Sequence, residues 1–187
     1  MTQWKNAGYG LVLVEAIDPP PAYPPSVTGL QIDTAVACGL AVDAYIYCWW
    51  DMARLQRDID TLRGRRLNRL WLDVEEFANG LPASVAARIA FVKQALNVLD
   101  AYPNKQQALA GIYTGGWYWG NARTPNYMGN ATDFANRLLW TSQYDGIPNV
   151  DVVSLYGGWQ QAAIKQWQGT STLAGVKNVD LNVVRSD

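Results

Sequence analysis

Leu70-Trp71-Leu72-Asp73-Val74-Glu75-Glu76 is an apolar run that carries three acidic side chains at its end. The start, LWL, is apolar on both faces, as a central strand of a helix-covered parallel sheet must be. The stretch 67–76 is therefore predicted as a strand. In a strand, residues two apart point to the same side, with Cα atoms about 6–7 Å apart. Asp73 and Glu75 are then expected to project together near the strand's C-terminal end, where α/β barrels carry their active sites. Two neighbouring carboxylates repel, so one tends to keep its proton near neutral pH, as a general acid in glycoside cleavage requires. The same D-x-E pattern also arises where acidic residues cap a following helix and face solvent.

On the N-terminal side, LVLVEA (11–16) and AVDAYIYCWW (41–50) read as further strands. QIDTAVACG (31–39) reads as a helix stopped by Gly39, and 51–63 as a helix capped by Asp51. PPPAYPP (19–25) is a stiff loop. On the C-terminal side, a long helix is predicted from Pro82 to about Tyr102, since proline suits a first helical turn. ALAGIYT (108–114) is a strand, and 116–129 an aromatic loop with little helical character. A strand lies within 135–144, 147–158 is turn-rich, and 163–169 and 178–184 are the last two strands. Strand alternating with helix through two thirds of the chain predicts an α/β fold. The final third is poor in helix, which suits an irregular TIM-like (β/α) barrel whose last strands have lost theirs. A doubly wound open sheet is the alternative. The absence of a Gly-rich phosphate loop after the first strand counts against a nucleotide-binding version.

With 187 residues, 49% hydrophobic and 17% charged, the chain can bury a real core, and one domain over 1–187 is expected. A net charge of −1 supplies no basic field for a nucleic-acid backbone. There is no histidine, which excludes Ser-His-Asp and Cys-His catalysis and removes the commonest zinc ligand. Acid–base chemistry must rest on carboxylates, or on Lys, Tyr or Cys with shifted pKa. No ligand cluster implies a metal or cofactor. Cys38 and Cys48 could pair in principle. They sit in apolar runs, and two cysteines do not make a disulfide scaffold, so buried free thiols are expected. MTQWKNAGYG lacks a signal pattern and no apolar run reaches bilayer length. The expectation is synthesis in the cytoplasm without membrane insertion.

In this setting the chain resembles glycoside hydrolase family 25, the muramidases that cut the β-1,4 bond after N-acetylmuramic acid in peptidoglycan. Ala7-Gly8-Tyr9-Gly10 followed by LVLVEA is similar to the family's second strand and its approach, and ACGLAVDAYIY (37–47) to its third. LWLDVEE resembles the acidic strand, GIYTGGWYW (111–119) the I-Y-T strand, and LLWTSQY (138–144) the W-x-x-Q-Y strand. KQWQGTSTLAGVKNVDLNVV (165–184) resembles the family's ending. The resemblance implies Glu75 as general acid, with Asp73 holding or polarising the substrate's N-acetyl group as an internal nucleophile. It implies a cleft role for Asp180, Tyr113, Tyr144 and Asp18. Trp49, Trp50, Trp117 and Trp119 are candidates to stack on sugar rings, with core packing the alternative. Peptidoglycan glycan strands are the implied partner, met at the cell wall by an endolysin-type enzyme or as part of a phage particle.

Departures from the family define a second expectation. The family opens with a strand carrying D-V-S and a further cleft aspartate. This chain begins at Met1-Thr2-Gln3-Trp4, where the family is entering its first helix. A barrel without its first strand has unpaired edges, a ready site for strand addition by another chain. The family's Y-H-F is Tyr45-Ile46-Tyr47 here, and its K-A-T-E is Glu15-Ala16-Ile17-Asp18, which keeps the last acid and loses the lysine. A domain altered in this way is also expected to serve as a non-catalytic structural or glycan-binding component.

Overall fold

The structure is a computed structural model and describes residues 1–19, 26–75, 80–120 and 127–186. The proline loop, Glu76 and the centre of the aromatic loop lie largely outside the described residues. The chain separates into two compact units, chiefly Met1–Asp73 with Phe91–Ala110, and Gly111–Asp187 with Pro82–Ala90 and the residues from Val74.

In the first unit, helix α1 (Thr2–Asn6) leads into β1 (Leu11–Glu15). Helix α2 (Thr28–Ala37) follows, then β2 (Ala41–Tyr47), α3 (Met52–Asp60) and β3 (Leu70–Asp73). The three strands pair in parallel, with Leu11 opposite Ala41 and Tyr47 opposite Asp73. Every residue of β3 is buried, as the run LWL required. Helix α2 starts three residues earlier than expected, because Gln31 N already donates to Val27 O at 2.9 Å. Asp51 caps α3, accepting from Ala53 N (2.9 Å) and Arg54 N (3.2 Å). The long helix α4 (Val85–Asp100) buries Val92, Ala95, Leu96 and Leu99, the spacing of one helix face. Buried Asp43 on β2 is satisfied by Trp71 Nε1 (2.8 Å) and Asn68 Nδ2 (2.9 Å). Its burial still pushes the carboxyl pKa up.

In the second unit, β4 (Gly111–Thr114), β5 (Leu139–Ser142) and β6 (Ile164–Leu173) are parallel, and β7 (Val176–Val184) runs antiparallel to β6. Two differences from the sequence reading stand out. The aromatic segment holds a short helix, α5 (Gly116–Trp119), that buries Tyr118 and Trp119. It follows directly on Gly115, where a Cβ would lie 2.4 Å from Trp117 Nε1 and 2.8 Å from Ser142 Oγ. The last strands are also longer than 163–169 and 178–184. They run on into a hairpin closed at Ala174-Gly175, both at positive φ (50° and 81°), the backbone a tight hairpin turn demands.

The expected strand over 67–76 is shortened to four residues, so Glu75 lies beyond its end. Val74 continues the ladder within the second unit: its N–H donates to Tyr113 O (2.8 Å), and its carbonyl accepts from Thr114 Oγ1 (2.7 Å). Both thiols are free; Cys48 is buried as expected, while Cys38 is half-buried with Thr2 Oγ1 3.4 Å away. Among the described residues, no helix is long and apolar enough to cross a membrane.

Candidate active site

In the second unit the sequence's cleft candidates converge on a residue it did not single out. Gln166 is the third residue of β6 and only 4% exposed. Its Oε1 accepts from Tyr113 OH at 2.6 Å and from Tyr144 OH at 2.8 Å. Its Nε2 donates to Asp180 Oδ2 at 2.9 Å, and Asp180 Oδ1 accepts from Thr170 N at 2.9 Å. Tyr113 comes from β4, Tyr144 from just after β5 and Asp180 from β7, so three expected site residues meet through one amide. The Tyr113 ring packs on Trp140 at 4.3 Å between centroids, and Trp140 Nε1 donates to Asn182 Oδ1 at 2.9 Å. Strand alternation gives Gln166 its place. The preceding Lys165 faces the other way, fully buried, and donates to Asp145 Oδ2 (2.8 Å), Ile147 O (3.0 Å) and Val152 O (2.9 Å).

A groove of about 440 Å³ opens beside this array, lined by residues that include Tyr144, Trp167, Gly169, Thr170 and Asp180. It combines aromatic surface with a fixed carboxylate and backbone polar groups, the mixture that small polar ligands need. Glu75, just past Val74, is half-buried in this unit. Trp117 is 41% exposed and meets Tyr118 edge-on at 5.7 Å. Trp119 is fully buried against Phe134 and Trp159, which makes it core.

The first unit holds the other candidates. Asp73 ends β3 and is 5% exposed. Asp18 and Trp49 meet through a second residue that sequence reading missed, Asp58 of α3. Asp58 Oδ1 accepts from Asp18 N (2.7 Å), and its Oδ2 accepts from Trp49 Nε1 (2.9 Å). Arg54 completes the group: it pairs with Asp58 at 3.2 Å, donates to Asp18 O and lies 5.1 Å from the Trp49 ring centre. Burial pushes the Asp58 carboxyl pKa up, against the pull of these donors. Glu15, where the family resemblance expects lysine, also has its pKa raised, first by burial and then by the Asp58 charge. Trp50 is buried and packs against Phe91, so it too is core. A larger groove of about 530 Å³, lined by residues that include Ile59, Arg63 and Tyr102, holds none of the expected site residues.

Asp58 carried a signal, since it lies four residues after Arg54 and between Leu55 and Ile59 on the buried face of α3. Gln166 carried only the alternation of β6. Nothing in the sequence marks which of its polar residues three other segments will address.

No family model matches the chain. Lysozyme-like protein 5 of Caenorhabditis elegans is 28% identical over 96% of the chain and 83% of its own length. A probable GH family 25 lysozyme 3 of Dictyostelium discoideum is 27% identical over 81% of the chain, and the match spans about a third (31%) of that relative. Among solved structures, a muramidase from Trichobolus zukalii superposes with a TM-score of 0.75 at 18% identity, covering 100% of this chain and 87% of that one. The structural likeness shows the fold, an irregular TIM-like (β/α) barrel. These findings together support assignment of the chain to glycoside hydrolase family 25.

Proposed function

We propose that the chain is a peptidoglycan hydrolase of the N-acetylmuramidase type that cleaves β-1,4 glycosidic bonds of the bacterial cell wall. The observation that carries the reading is the groove beside Tyr144, Trp167 and Asp180, with its carboxylate held at both oxygens. Relatives named as lysozymes favour the enzyme over the non-catalytic alternative. In the proposed reaction the Glu75 carboxyl protonates the departing glycosidic oxygen, and Asp73 orients the acetamido group that attacks the anomeric carbon. The aromatic residues hold the sugar rings while charge develops on the ring oxygen. Action at the wall follows synthesis in the cytoplasm, by endolysin-type release or aboard a phage particle. The outer edge of β1 would receive a strand from a partner chain in such a particle.

Purified cell walls incubated with the protein test the reading through new reducing ends. Wild type should release them, and Glu75→Gln should lower the rate roughly 10²–10⁴-fold. Equal release by Glu75→Gln, or none by wild type, removes it.

A further inference from the structure

The array around Gln166 has a direction built into its hydrogens. An ionised carboxylate only accepts hydrogen bonds, so the Gln166 NH2 must face Asp180. That leaves the amide oxygen toward Tyr113 and Tyr144, and both phenols must spend their single proton on it. Each phenolic oxygen then meets any further group as an acceptor. Asp180 thereby sets the hydrogen-bond polarity of two tyrosines that it does not bond to directly.

We propose that Gln166 is a positioning residue: it transmits the charge of Asp180 to Tyr113 and Tyr144 and makes Tyr144, the exposed phenol that lines the groove, accept hydrogen bonds from the ligand. The ligand class that fits presents N–H and O–H donors, such as an acetamido N–H or sugar hydroxyls, and the choice of a glycan rests on the hydrolase reading. The groups the structure places on the Gln166 amide are Tyr113 from β4, Tyr144 from after β5 and Asp180 from β7. On its own strand Lys165 points away, into Asp145 and two carbonyls. With one side of its amide occupied by two phenols and the other by a carboxylate, Gln166 cannot flip without setting its NH2 against the phenols and its oxygen against Asp180.

Two substitutions separate this role from simple packing. Gln166→Leu removes the relay at every pH. Gln166→Glu breaks it near neutral pH, where two carboxylates face each other. In acid the introduced carboxyl takes up a proton, donates to Asp180 and offers its carbonyl oxygen to the phenols, restoring the pattern. Affinity for tri-N-acetylchitotriose, read by calorimetry, and reducing-end release from walls should each fall about 10- to 100-fold in both variants near neutral pH. Lowering the pH should recover Gln166→Glu and leave Gln166→Leu impaired. A Gln166→Leu variant equal to wild type, or a Gln166→Glu variant that follows the wild-type pH profile, overturns the proposal. A second readout needs neither activity nor a variant. The side-chain amide protons of Gln166 in 15N-labelled wild type should exchange with solvent much more slowly than those of exposed glutamines. Solvent exchange as fast as that of exposed glutamines overturns the positioning role. If wild type neither binds nor cleaves glycan, the hydrolase reading and the ligand class fall, while the amide signals still decide the positioning role.

Discussion

Asp58 shows how much a single buried carboxylate can organise. Its side chain is 1% exposed, yet it accepts from a backbone N–H, an indole N–H and a guanidinium. Asp58→Ala would leave three donors facing an empty site, with the Arg54 charge only 16% exposed. Breaking such a pair costs about 3–5 kcal/mol, so a drop of that size in unfolding free energy is expected by denaturant titration. The pH dependence follows from the direction of the shift. An acid whose pKa is raised on folding binds its proton more readily in the native state. Stability from Asp58 is therefore greatest in acid and declines as pH rises from the ordinary carboxylate range through the raised value. Asp58→Asn should remove the share of that decline that comes from Asp58. Glu15, raised in the same direction, adds to it.

At the scale of elements, α3 and the loop after β5 are each held by one identifiable device. Asp51→Ala removes the cap of α3 and should cost about 1 kcal/mol, seen as a lower melting temperature. The loop after β5 is clipped by the three hydrogen bonds of Lys165, and the Lys165 contact, with those of Gln143 and the Ile147 N–H, pulls the Asp145 pKa down to about 2. A lowered carboxylate pKa gives stability that is complete above the ordinary value and lost as pH falls toward about 2. Lys165→Met should reduce that acid-range loss, with Gln143 and the Ile147 N–H still holding the Asp145 carboxylate, and should loosen residues 143–152, which amide hydrogen exchange would register as faster exchange. Elements were legible where period and run length agreed. LWL read as a buried strand because both faces are apolar, LVLV read as a strand although only Val14 of it is buried, and Asp51 announced α3 by its cap. The strand limits were less legible: regular strand β3 stops at Asp73, although Val74 still pairs with Tyr113 and Thr114. The hairpin is illegible at its tip, since 170–178 is mostly exposed and is held by cross-strand pairing with no buried apolar face to mark it.

For the molecule as a whole, the two thiols offer a probe of folding. Cys48 is fully buried, and burial pushes its pKa up to about 12, whereas Cys38 is half-buried. A thiolate is the reactive form, so a disulfide reagent should modify Cys38 in the native protein and Cys48 only on unfolding. Cys38→Ser should leave a native protein without a fast-reacting thiol. Two fast-reacting thiols in native wild type would contradict this account of the burial of Cys48.

The sequence alone determined the class of the fold, because apolar runs of strand length alternating with amphipathic helices admit few other solutions. It also determined which chemistries were closed, since a chain without histidine cannot run a histidine-based mechanism. It nominated the acids and aromatics from their order along the chain. Only the tertiary structure decided which of them meet. Asp18 meets Trp49 through Asp58, and Tyr113, Tyr144 and Asp180 meet through Gln166, in both cases across separations of many residues. Hydrogen bonds depend on distance and direction in space, and one-dimensional spacing does not carry either between segments that only folding brings together.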